Sequence, residues 1–89
     1  MPTPEELEEE DRRVRQLRIA VSLALGVIAQ TNVSLVQARE IVSATRTMAL
    51  RIFPGKELAF DLIYLPRFQR LLAERFGVAA LGLQPVSPN

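Results

Sequence analysis

The arginine side chains are the residues of this sequence best suited to bind a ligand. Ten of its eleven basic residues are arginines, and a guanidinium group can hold a phosphate through two parallel hydrogen bonds. Four of them stand at helical spacings on the polar sides of two predicted helices: Arg39, Arg46, Arg67 and Arg70. This pattern has two interpretations. The arginines form a surface that contacts nucleic acid or an acidic partner, or they belong to a solvated surface that is rich in arginine.

The distribution of charge favours the solvated surface. Residues 1–11 contain six acidic residues and no basic one, whereas residues 12–89 contain eleven basic and four acidic residues. The acidic arm would repel phosphate, and the sequence pI of about 8.3 is lower than that of typical nucleic-acid-binding domains. The junction at Leu65-Pro66 is also too short for the turn of a helix-turn-helix motif. Nucleic acid is therefore the second choice of partner.

Groups able to carry catalysis are scarce. Histidine and cysteine do not occur in the sequence, which removes the commonest general base, the commonest metal ligands and any disulfide. Glu8, Glu9 and Asp11 lie close together on a predicted helix, but each is followed four residues later by an arginine that can pair with it. Lys56 follows a Pro-Gly turn, and the glycines match no phosphate-binding loop. We therefore expect no catalytic residue, no metal site and no cofactor.

Asp61 is the only charged residue between Leu58 and Leu65. If its carboxylate is buried it needs a partner, and an arginine from one of the neighbouring helices could provide one. If the side chain faces water, no partner is required. Tyr64, close by, is typical of a residue at the edge of a core with its hydroxyl group in water. Both interpretations of Asp61 stay open at this point.

The stretch Leu17–Gln30 is the most apolar in the sequence and predicts the helix around which the other elements pack. At about 100° per residue, one stripe collects six apolar residues, which we predict as an interface with a partner or a second subunit: Val14, Leu17, Val21, Ala24, Leu25 and Ile28. Ile19, Leu23 and Val27 fall on a neighbouring arc, so apolar side chains cover most of the helix. Such a helix is either central in a fold or shared between subunits.

Gly26 lies on the remaining strip of this helix, between Ser22 and Ala29. A glycine inside a helix costs about 1 kcal/mol relative to alanine. Either another helix approaches closely at Gly26, or the glycine is tolerated at an exposed position.

Capping residues, prolines and glycines mark the ends of the predicted elements. Thr3 with Glu6, and Ser34 with Gln37, have the spacing of capping boxes, and Pro66 is expected to interrupt a helix. The predicted elements are helices at about 3–30, 34–53, 56–64 and 66–76 in one domain over residues 1–77, followed by an extended tail over 78–89. The first helix is longer than the others can cover, so its front half should project, and the short connection after it favours an antiparallel hairpin with the second.

These patterns predict an all-α protein, a small bundle of three to four helices. A chain of 89 residues buries only about 60–65% of its unfolded surface, so we expect it to be stabilised as a homodimer. The uncharged run Ile19–Gln30 is shorter than the roughly 20 residues that cross a bilayer, and the acidic start does not resemble a signal peptide. The expected function is that of a non-catalytic protein–protein interaction module: a small cytoplasmic adaptor, assembly or regulatory protein.

Overall fold

The computed structural model describes residues 1–81, and every regular element in this range is helical. Four α-helices follow one another, with one turn of 3₁₀ helix after them: α1 (Pro4–Gln30), α2 (Leu35–Ile52), α3 (Glu57–Ile63), α4 (Leu65–Phe76) and η1 (Val78–Leu81). The predicted all-α fold class is confirmed for this range. Each α-helix begins and ends within one residue of its predicted position.

Side-chain caps explain where the two long helices begin. Thr3 Oγ accepts a hydrogen bond of 3.1 Å from the backbone N–H of Glu6, and Pro4 follows at the first helical position. At α2 the capping box is complete, because Ser34 Oγ accepts from the N–H of Gln37 while the Gln37 side chain accepts from the N–H of Ser34. These bonds satisfy backbone donors that have no partner inside the helix.

A single residue, Tyr64, separates α3 from α4. Its backbone is close to helical (φ −99°, ψ −39°), and its carbonyl accepts from the N–H of Arg67 at 3.0 Å. Pro66 lacks an N–H and therefore sits in the first turn of α4, where no helical donor is needed. Helix α4 was predicted to begin at Pro66, and it begins one residue earlier, at Leu65.

The chain after Gly77 differs from the predicted extended tail. Gly77 has a φ of +90°, which turns the chain back at the end of α4, and η1 then packs against that helix. The N–H of Ala80 donates to the carbonyl of Gly77 at 3.0 Å, and Ala80 is buried. Burial of this small apolar residue explains why the chain coils here. The rest of the predicted tail, residues 82–89, lies outside the described residues.

The core forms where the second half of α1 meets the other helices. Its buried members come from every element: Leu17, Val21, Ala24, Ile28, Ala38, Ala49, Phe60, Phe68, Leu72 and Ala80. None of residues 1–13 is buried, and the Cα atoms extend over 59 × 29 × 16 Å. The radius of gyration of 15.8 Å exceeds the value of about 12 Å expected for a compact domain of this length. The front half of α1 therefore projects from the core.

Across residues 1–81, no helix combines the length and the apolar character needed to cross a bilayer.

Candidate functional site

Asp61 has an arginine partner, as the first of the two interpretations expects, but its carboxylate is only partly buried. Arg46 on α2 donates from Nε to Oδ1 of Asp61 at 2.8 Å and from Nη2 to Oδ2 at 3.0 Å, a bidentate pair that ties α2 to α3. Both side chains are about one third exposed. The hydrogen bonds from Arg46 lower the pKa of the Asp61 carboxyl below its ordinary value, and the same bonds raise the pKa of Arg46.

The lowered pKa of Asp61 predicts a component of stability that is lost in acid. A carboxyl with a lower pKa in the folded state stabilises the fold above its unfolded pKa of about 3.9, and this contribution disappears as the pH falls through the folded pKa. Asp61→Asn should therefore melt at a lower temperature than the parent near neutral pH, and the difference should shrink on acidification. Thermal melts followed by circular dichroism at a series of pH values measure this difference. Glu40→Gln, at an exposed carboxylate, is the control, and a difference that stays constant down to about pH 2 would contradict the prediction.

Arg39 is also bound within the chain. Its Nη2 donates to the carbonyl oxygen of Ala80 at 2.8 Å, which holds η1 against α2. Of the four arginines predicted to contact nucleic acid or an acidic partner, Arg39 and Arg46 are thus engaged in intramolecular bonds, whereas Arg67 and Arg70 are exposed on α4. The four therefore do not form one surface of free guanidinium groups.

Arg75, which was not singled out from the sequence, joins α4 to the end of α1. Its Nη1 donates to the carbonyl oxygen of Ile28 and, at 2.7 Å, to that of Thr31. The last turn of α1 contains no basic residue of its own, so Arg75 provides the cation that favours the negative end of this helix. The absence of a basic residue at the end of α1 is visible in the sequence, but it does not identify Arg75 as the residue that supplies the cation.

The acidic arm behaves as a solvated helix that pairs with itself. Glu9 contacts both Arg12 and Arg13, at 2.8 and 3.4 Å. Within residues 1–81, the other two predicted pairs, Glu8–Arg12 and Asp11–Arg15, are not formed as ion pairs. Exposed ion pairs of this kind contribute about 0–1 kcal/mol each. The carboxylates show no arrangement suited to acid–base catalysis.

The structure corrects the prediction that six residues of α1 form an interface with a partner. Four of them are buried in the core of the chain itself, and the other two are half-buried: Leu17, Val21, Ala24 and Ile28, then Val14 and Leu25. This stripe packs against α2 and α4, so it is not available to another chain. The exposed apolar face of α1 is the neighbouring arc, which we call the outer face: Ile19, Leu23 and Val27, exposed by 54%, 65% and 39%.

Other apolar groups are exposed on α2 and on α3. Met48 of α2 is 47% exposed, and α2 packs against α1. An added Cβ at Gly26 would meet nothing within 4 Å, so no helix of residues 1–81 approaches closely there. On α3, Leu58 and Leu62 line an apolar groove of about 460 Å³. These surfaces are mainly apolar, and Lys56 is the charged residue that lines the groove on α3.

Two cavities lie between the helices. One, of about 250 Å³, is mainly apolar and is lined by residues of α1, α2 and α3, with Glu10 and Lys56 as its charged members. The other, of about 240 Å³, is lined by five residues from α1 and from the α3–α4 junction: Arg18, Val21, Ser22, Tyr64 and Arg67. Arg18 was not predicted as a site residue, because its position beside Arg67 depends on how α1 and α4 pack.

Within the part of the chain that the structure describes, no three histidine, cysteine, aspartate or glutamate side chains come together as a metal site would require. Comparison with known proteins does not assign the chain to a family, because no protein-family model, no curated protein and no solved structure matches it.

Proposed function

We propose that the protein is a non-catalytic protein–protein interaction module of the cytoplasm, an adaptor, assembly or regulatory protein, that acts as a homodimer through the outer face of α1. The observation that carries this proposal is the exposure of Ile19, Leu23 and Val27, which are spaced four residues apart and so lie along one side of the helix. Burial of such side chains against a second chain stabilises an assembly by about 25 cal/mol for each Å² of apolar surface removed from water.

An antiparallel hairpin of α1 and α2 is the scaffold that we propose for this face. The two helices pack against each other and are joined by only four residues, Thr31–Ser34. Helix α4 contacts both α1 and α2, and it leaves Ile19, Leu23 and Val27 of α1 exposed. The smallest extent of the molecule, 16 Å, is what two layers of helices produce.

The residue pattern of the outer face suits a second copy of the same chain. Ile19 and Val27 are each four residues from Leu23, and Gln16 and Gln30 are each seven residues from it. Two antiparallel copies of α1 centred on Leu23 would therefore place apolar residues opposite apolar ones and glutamine opposite glutamine. A two-fold interface requires this self-complementarity, and no charged residue occurs between Ile19 and Gln30 to repel the other copy.

Leu23→Arg tests the proposal, with Leu62→Arg as a matched control. The two leucines are exposed by 65% and 67%, so the same substitution is made at the same exposure on different faces. Light scattering should give about twice the 10.0 kDa chain mass for the parent and for Leu62→Arg, and the mass of one chain for Leu23→Arg. The Leu23→Arg variant should keep its helical circular dichroism, because the position is not part of the core.

Two results would contradict the proposal. The first is a parent protein that stays monomeric throughout the micromolar range. The second is a Leu23→Arg variant that remains a dimer. If Leu62→Arg alone dissociates the dimer, the interface lies on α3 and not on the outer face of α1.

A further inference from the structure

The cavity between α1 and the α3–α4 junction has the composition of an anion site. Arg18 and Ser22 enter it from successive turns of α1, and Tyr64 and Arg67 enter it from the junction. Each of these four side chains can donate a hydrogen bond, and none of the five lining residues is acidic. The fifth, Val21, belongs to the core.

The two arginines of this cavity differ from most other arginines of residues 1–81 in having no partner within that range. Arg12 and Arg13 contact Glu9, Arg46 contacts Asp61, and Arg39 and Arg75 donate to backbone carbonyl groups. Within residues 1–81, Arg18 and Arg67 form neither an ion pair nor a side-chain hydrogen bond. They nevertheless line the same cavity from helices far apart in the sequence. Two guanidinium groups that share a cavity without a carboxylate repel each other, and an anion between them would relieve that repulsion.

The surroundings hold the cavity in shape and add positive charge. The ring of Tyr64 packs on the buried Phe60, with ring centroids 5.7 Å apart, which restrains the position of the tyrosine. Arg15 and Arg70 lie three residues from Arg18 and Arg67 respectively, one helical turn away on the same sides of α1 and α4. Four arginines thus lie in the cavity or within one helical turn of it, although the whole chain has a net charge of only +1.

We propose that this cavity binds a dianionic phosphate group, held by Arg18 and Arg67 with hydrogen bonds from Ser22 and Tyr64. Two guanidinium groups supply the charge and the paired donors that a phosphate requires, and the two hydroxyl groups fill its remaining acceptor positions. The group belongs to inorganic phosphate or to a small phosphomonoester, which share this chemistry. The proposed phosphate site and the proposed dimer interface use different residues of α1, Arg18 and Ser22 in the first and Ile19, Leu23 and Val27 in the second.

Titration calorimetry on the full chain tests the site, with inorganic phosphate and glycerol 3-phosphate as the two probes at constant ionic strength. Saturable binding of either probe is expected, and the probe that binds more tightly identifies the source of the phosphate. Arg18→Gln and Arg67→Gln should each weaken binding by about tenfold or more, because each removes a charged hydrogen-bond donor. Arg51→Gln, at an exposed arginine of α2 outside the cavity, should bind as the parent does.

Circular dichroism melts of the same variants show whether they are folded, which is expected because both arginines are exposed. The proposal is overturned if neither probe binds saturably at millimolar concentration. It is equally overturned if Arg51→Gln weakens binding as much as Arg18→Gln and Arg67→Gln do, because the effect would then reflect net charge and not the cavity.

Discussion

Phe68→Ala is expected to lower the free energy of unfolding by about 3–5 kcal/mol. Phe68 is the largest fully buried side chain of the described residues, with 0% exposure, and it lies on α4 among core residues from every other element. Its truncation leaves a cavity that short helices cannot close without losing other contacts. A domain of this length has a total stability of about 4–13 kcal/mol, so the variant should be largely unfolded well below the melting temperature of the parent.

Urea denaturation followed by circular dichroism measures the loss at Phe68. Leu58→Ala is the control, since Leu58 is 71% exposed on α3 and its truncation should change the stability by no more than about 0.5 kcal/mol. A loss below about 1.5 kcal/mol at Phe68 would show that α4 does not complete the core as described.

Val21→Asp is expected to abolish the fold at neutral pH. Val21 is 2% exposed and belongs to the core stripe of α1, where an aspartate would place an ionised carboxylate among apolar side chains, with Arg18 and Arg67 on its cavity side alone. The cost of burying such a charge is several kcal/mol or more, which is comparable with the stability of the whole domain. Circular dichroism and the dispersion of amide signals in a proton NMR spectrum would both report the loss of structure.

Ile19→Asp is the matched comparison for Val21→Asp, because it makes the same kind of change two residues away on the outer face. Ile19 is 54% exposed, so its variant should stay folded. Under the proposed function it should also become monomeric. A folded Val21→Asp variant, or an unfolded Ile19→Asp variant, would mean that the two faces of α1 have been assigned the wrong way round.

The positions of the helices follow from local signals. The caps at Thr3 and Ser34, Pro66 and Gly77 each act through the backbone within a few residues, so their effect is the same whatever the tertiary structure. An arginine partner for Asp61 was one of two interpretations that the sequence left open, because a carboxylate in an apolar segment requires a cation only if it is buried. The identity of that cation, Arg46, depended on the packing of α2 against α3.

The assignment of the two faces of α1 could not be made from the sequence. Both arcs are apolar, and helical periodicity alone does not say which one meets α2 and α4 and which one stays exposed. The hydrogen bonds from Arg39 and Arg75 could not be predicted from the sequence for a different reason. Their acceptors are backbone carbonyl groups 41 and 47 residues away in the sequence, and a carbonyl has no side-chain identity that a pattern could detect.

The contact of Arg75 with the end of α1 also has a consequence for folding during synthesis on the ribosome. The chain emerges with α1 first, yet the cation for the last carbonyl groups of α1 lies near the end of α4. Phe68 and Leu72, which complete the core, emerge in the same late segment. A nascent chain that has emerged only as far as Tyr64 therefore lacks Phe68, Leu72 and Ala80 of the core, so we expect the core to be completed only after α4 has emerged.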